Sequence, residues 1–161
     1  MWKAVRTGLG GCCGVMVLVL VLWSVAWATP VTTKYYSLTL PSDWVVLKGP
    51  VRGKDNVILQ LSNKARSSTA TIVVGSVAPG ETSKIIEVYA KRLQAEPKKQ
   101  SGQTVFFLRH GQERGYCIVR EDTRSQLLLI MTVSGELSKA DFLFSLRTPY
   151  KALLPVRPSL P

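Results

Sequence analysis

The run Gln126 to Val133 (QLLLIMTV) is apolar at almost every position and constrains the fold more than any other segment. A strand with one wet face alternates apolar and polar side chains. An unbroken apolar strand instead belongs in the middle of a sheet, covered on both faces. The chain must therefore supply a layer above that strand and a layer below it.

Around this segment the apolar period is two. Tyr35 to Leu40 (YYSLTL) alternates and stops at Pro41, and Trp44-Val45-Val46-Leu47 resumes after a Ser42-Asp43 turn. Val57, Leu59 and Leu61 share one face of the next strand. Ser68 to Val77 is β-branched and threonine-rich, as strands prefer. Thr104 to Arg109 and Tyr116 to Glu121 pair as a hairpin about the turn His110 to Gly115. Between the strand groups the period lengthens. Ile85, Ile86, Tyr89 and Leu93 recur at helical spacing, with Thr82 or Ser83 placed to cap the start and Glu96-Pro97 to stop the helix. Lys98 to Gln103 reads as a basic connection. Ser138-Lys139-Ala140-Asp141 has the form of a capping box and predicts a second helix through Arg147, with Phe142, Leu143 and Leu146 inside. Three strands, a helix, three strands and a helix make an α+β domain with a mainly antiparallel sheet.

The first 28 residues carry an address. Lys3 and Arg6 precede an apolar stretch from Val15 to Val25, and Ala26-Trp27-Ala28 is an A-x-A cleavage site. That order predicts a secretory signal peptide over 1–28 and a protein working outside the cytosol, in the periplasm. The alternative is an uncleaved anchor in the inner membrane, since Gly8 to Ala28 approaches the ~20 residues of a bilayer span. Leu9-Gly10-Gly11-Cys12 has the look of a lipobox, but it precedes the apolar stretch instead of following it, so lipidation is not expected. The remainder divides into one domain over 29–150 and a proline-rich tail over 151–161, extended or disordered, with Pro155, Pro158 and Pro161.

The formal charge is +11, and removing Lys3 and Arg6 leaves +9. Such an excess favours acidic partners: an envelope protein, or an anionic envelope component met by peripheral membrane contact. Export argues against nucleic acid. The candidate partner-binding residues are Trp44 and the basic positions Lys48, Arg52 and Lys54 that follow it. Trp44 has a second reading, as a buried anchor of the turn at Pro41-Ser42-Asp43.

Catalytic patterns are scarce. Cys117 is the one cysteine after residue 28, and its alternating apolar surroundings read as a buried thiol. His110, the single histidine, flanks the same hairpin turn, and only close contact with Cys117 would activate a thiolate. One His and one Cys fall short of a zinc site. Glu121-Asp122 reads as a strand end and turn, and neither a nucleophile elbow nor a phosphate-cradling glycine loop occurs. No catalytic, metal-binding or cofactor-binding residue is predicted. The runner-up to a binding module is an extracytoplasmic hydrolase or thiol enzyme with a site assembled from scattered residues.

The stretch Tyr36-Ser37-Leu38-Thr39-Leu40-Pro41-Ser42-Asp43-Trp44 resembles the motif that opens the DcrB/PsbP/Mog-like group: an alternating strand, a proline, a short turn and a tryptophan. The order of mid-chain helix, three-strand meander and closing helix at Ser138 is similar over about residues 35–147. The resemblance implies a three-layer α/β/α sandwich and a non-enzymatic accessory role, with protein partners or membrane association. DcrB-type members are envelope lipoproteins, and this chain departs from them in lacking a well-placed lipobox. No functional residue carries over, because the group shares no catalytic motif.

Overall fold

The computed structural model of the protein describes residues 28–53 and 55–161; the side chain of Arg52 and the signal-peptide reading of 1–28, apart from Ala28, lie outside the described residues. The described residues form nine strands and one α-helix: β1 Thr29–Thr32, β2 Ser37–Leu40, β3 Trp44–Arg52, β4 Asn56–Asn63, β5 Ser68–Ser76, α1 Glu81–Leu93, β6 Pro97–Gln100, β7 Gln103–His110, β8 Glu113–Asp122 and β9 Leu127–Gly135. Two 3-10 segments, Leu137–Ser145 and Lys151–Leu153, follow. Seven strands form one antiparallel sheet in the order β3-β4-β5-β9-β8-β7-β6, and β1 and β2 make a separate hairpin. The fold is α+β with a mainly antiparallel sheet. Among the described residues no helix is long and apolar enough to cross a membrane.

The apolar run sits in β9, fourth of the seven strands, between β5 and β8. Leu129, Met131 and Val133 enter the larger core with Leu59, Ile72, Ile118 and the β1–β2 hairpin. Leu128 and Ile130 point the other way, into a smaller core with Phe106, Cys117 and Val119. Helix α1 covers that smaller core with Ile85, Ile86, Tyr89 and Leu93, the face its spacing predicts. No residue of α1 is fully buried, so the helix rests on the sheet like a lid on one half of it.

Several expectations are corrected. Gly80 in the left-handed region, φ 80°, precedes α1, and no side chain caps it; the Thr82 hydroxyl has no hydrogen-bond partner among the described residues. A glycine reaches that conformation without strain, so Thr82 and Ser83 fall inside the helix instead of capping it. The second helix is not an α-helix. Leu137–Ser145 is 3-10, opening at Glu136 with no side-chain cap. In a 3-10 helix residues three apart eclipse one another. Ala140, Leu143 and Leu146 therefore all turn inward, at 0%, 0% and 3% exposure. The basic connection after α1 contains a strand, β6. It returns through Ser101 and Gly102, both at positive φ (48° and 72°), as a two-residue hairpin loop requires.

Arg120 donates Nε–H to the Ala152 carbonyl at 2.7 Å in the 3-10 segment that opens the tail, and beyond it the tail is extended and held by two glutamines. Gln103, itself buried, donates Nε2–H to the Val156 carbonyl at 2.6 Å and accepts the Val156 amide at 2.9 Å. Gln100 makes the same pair of bonds to Ser159, at 3.3 and 3.1 Å. Leu153, Pro155 and Pro158 are buried along the way.

Candidate functional site

Within the large sheet, β3 and β6 each have a neighbour on one side only, so each leaves a row of unpaired backbone groups on its outer flank. The two flanks differ in chemistry. β6 is four residues long, PKKQ, with Lys98 and Lys99 exposed and a proline that has no N–H to offer. β3 is nine residues long, WVVLKGPVR, and holds no acidic residue. Val45, Val46, Leu47 and Val51 are 38%, 39%, 62% and 44% exposed, whereas Trp44 at the head of the strand is 4% exposed.

β3 faces water because it is an edge strand, and it is irregular beyond Val46. Its register against β4 shifts between Val46 and Lys48 and again between Lys48 and Val51. Gly49 sits at φ +99°, and a Cβ there would strike the Ile58 carbonyl oxygen, so only glycine fits the bulge. Leu47 falls in the first shift, without a partner on β4. Positive charge lies at both ends of the exposed stretch. Lys48 is exposed opposite Gln60, and the β4–β5 turn, which meets β3 where Trp44 faces Asn63, carries exposed Lys64 and Arg66.

Of the four residues predicted to touch a partner, the structure withdraws Trp44 from that role. Its indole lies in the core, edge-on to Phe142 with ring centroids 4.9 Å apart, beyond reach of any surface contact. The anchoring alternative describes it. Lys48 is on the surface of β3. Arg52 ends β3 opposite Val57, and Lys54 falls outside the described residues. The sequence reading missed Val45, Val46, Leu47 and Val51. Pro50 was the available signal, because proline within a sheet is confined to edge strands and bulges.

The thiol and the imidazole are not brought together. His110 ends β7 opposite Glu113, while Cys117 faces Phe106 on β7 and Thr132 on β9. Four strand positions separate Phe106 from His110, about 13 Å of strand. Burial pushes the Cys117 thiol up to about 11, against a smaller lowering by a hydrogen bond with Thr132, so at neutral pH it is a protonated core group. The Asp122 carboxylate accepts the amides of Arg124 and Ser125 at 3.1 and 3.2 Å, which makes it a turn cap.

No protein family and no curated protein matches the chain. Among solved structures it is similar to the solution structure of cyanobacterial PsbP (CyanoP) from Synechocystis sp. PCC 6803, at 12% identity and a TM-score of 0.45, over 87% of this chain and 98% of that one. At that identity and score no property of the cyanobacterial protein transfers to this chain.

Proposed function

We propose that this is an exported, non-enzymatic binding module that takes an extended, acidic segment of an envelope protein as an added strand on β3. The carrying observation is the exposed flank: three consecutive exposed apolar residues, Val45 to Leu47, on a free edge that itself holds no acidic residue, with Lys48, Lys64 and Arg66 outnumbering Asp43 and Asp55 around it. Strand addition draws affinity from main-chain hydrogen bonds and selectivity from alternate side chains. The basic surround speeds and orients an acidic partner. Pairing with a second copy is disfavoured, because two basic edges would meet. Export to the periplasm rests on residues 1–28, and the single domain over 29–150 on the element pattern. Membership of the DcrB/PsbP/Mog-like group, and with it the three-layer arrangement, rests on the pattern of residues 36–44.

A photo-cross-linking side chain placed at position 47, and separately at position 98, tests this in cells. An adduct with a protein from position 47 and none from position 98, lost when Val45 is changed to Pro, is the expected result. Equal adducts from both edges would sink the proposal. So would sedimentation with phosphatidylglycerol vesicles and no protein adduct, which would make the basic surface a lipid contact.

A further inference from the structure

The face of the sheet that carries the larger core is incompletely covered where the β7–β8 hairpin projects past the first 3-10 helix. There Phe107, Arg109, Arg114, Leu137 and Leu160 line a groove of about 290 Å³. A recess of about 160 Å³ adjoins it, sharing Leu137 and Leu160, and reaches Tyr116, Phe144 and Arg157. Strand register sets Arg109 directly opposite Arg114, and Phe107 opposite Tyr116 two pairs further in, on the same face.

Two guanidiniums facing each other across a hairpin repel. Neither makes an ion pair among the described residues. Asp141 is the one acidic side chain lining either space, and Arg157 takes it at 2.8 Å. Tyr116 is 3% exposed, its ring stacks on Phe144 with centroids 6.4 Å apart, and its hydroxyl has no hydrogen-bond partner among the described residues. Burial, helped by Asp141, raises its phenol, so the hydroxyl keeps its proton and serves as a donor. A buried donor without an acceptor asks for an explanation. Here Tyr116 lines a recess walled by Leu137, Phe144 and Leu160 and by the Asp141–Arg157 pair, beside a groove holding two guanidiniums that make no ion pair among the described residues.

We infer that this end of the sheet is a binding site for a small carboxylate with an apolar body and a second oxygen: the guanidiniums of Arg109 and Arg114 hold the carboxylate, Phe107, Leu137 and Leu160 enclose the body, and the Tyr116 hydroxyl donates to the oxygen. Positions 114 and 116 are two residues apart on one strand face, about 7 Å. A chain of about five carbon–carbon bonds between the two oxygen groups has about the length of that backbone step. The site is separate from β3, which lies at the opposite end of the strand order.

The probe is 6-oxoheptanoate, with heptanoate and heptylammonium for comparison, titrated into the exported protein by calorimetry and followed by amide shifts. The keto acid should bind at least tenfold more tightly than heptylammonium, with shifts at Arg114, Leu137 and Leu160. R109Q/R114Q should weaken it at least tenfold. Tyr116→Phe keeps the ring on Phe144 and should reduce its affinity to that of heptanoate, with the melting temperature little changed. Equal binding of heptylammonium, insensitivity to R109Q/R114Q, or no preference for the keto acid that Tyr116→Phe removes would each overturn the assignment. Uptake by phosphatidylglycerol vesicles without binding of the free acid would overturn it too.

Discussion

At one end of the sheet β6 runs for four residues with a proline and two lysines; at the other β3 runs for nine and turns three consecutive apolar side chains to water. Both edges carry the same liability, a row of free backbone donors and acceptors. At β6 the liability is met by shortness, charge and a missing N–H, and nearby the tail is tied down through Gln100 and Gln103. At β3 the bulges about Gly49, with Lys48 and Pro50 beside it, interrupt the second half of the edge, and Val45 and Val46 precede them. The same fold thus guards β6 along its whole length and confines the guards of β3 to its second half, past the stretch that Trp44 fixes from inside. An edge held firmly in place and left apolar is suited to receive a strand.

The largest test of that difference is at the anchor. Trp44→Ala should cost ~3–5 kcal/mol, as for a large core aromatic, read as a fall in the denaturant midpoint. An unchanged midpoint would mean that β3 does not depend on its inward ring, and the contrast between the edges would lose its basis. At the other end, Gln103→Ala strips the Val156 amide and carbonyl of their partners. It should cost ~1–3 kcal/mol and speed hydrogen exchange at Val156 and Ser159. Exchange confined to Val156 would show that Gln100 holds the tail by itself.

The third test concerns the sheet between the edges. The Cys117 thiol rises from the ordinary 9.0 to about 11 in the folded protein. Between those values the unfolded chain has lost the proton that the native state retains. Stability should therefore fall as pH rises through that window, by at most ~1.4 kcal/mol per unit. Cys117→Ala should flatten that part of the profile, and an unaltered slope would show the thiol is not held neutral by burial. The smallest effect belongs to Leu47→Lys. With the side chain 62% exposed, stability should move by no more than ~0.5 kcal/mol, while the partner adduct at a neighbouring β3 position disappears. A large loss of stability would make Leu47 part of the core and close the β3 edge as an interface.

Much of the fold is legible in residue patterns, and the exceptions have physical causes. The period of Ile85, Ile86, Tyr89 and Leu93 describes α1 because one face of an amphipathic helix carries the whole signal. Leu137, Ala140, Leu143 and Leu146 recur every third residue, which is the 3-10 period; Phe142 and Phe144 between them blur it into something α-helical. β6 is hidden because Pro97, Lys98 and Lys99 are poor strand formers, and pairing to β7 outweighs their preference. In the candidate interface Lys48 is legible as a surface charge, whereas Val45 to Leu47 read as core. Apolar character says that burial is favourable, and only the absence of a neighbouring strand says that it has not happened.

Residue order alone sets the central strand, the strand and helix periods, the breakers between them and the surplus of positive charge. Each is a local property, expressed within a few residues by alternation, spacing or the conformational limits of glycine and proline. Tertiary structure decided which strands are edges, which face α1 covers, and that Arg109, Arg114 and Tyr116 share one end of the sheet. Those outcomes follow from β5 pairing with β9, Ser68 against Gly135 through Ser76 against Leu127. That register joins segments far apart in the chain, and no local pattern in either one encodes the position of the other.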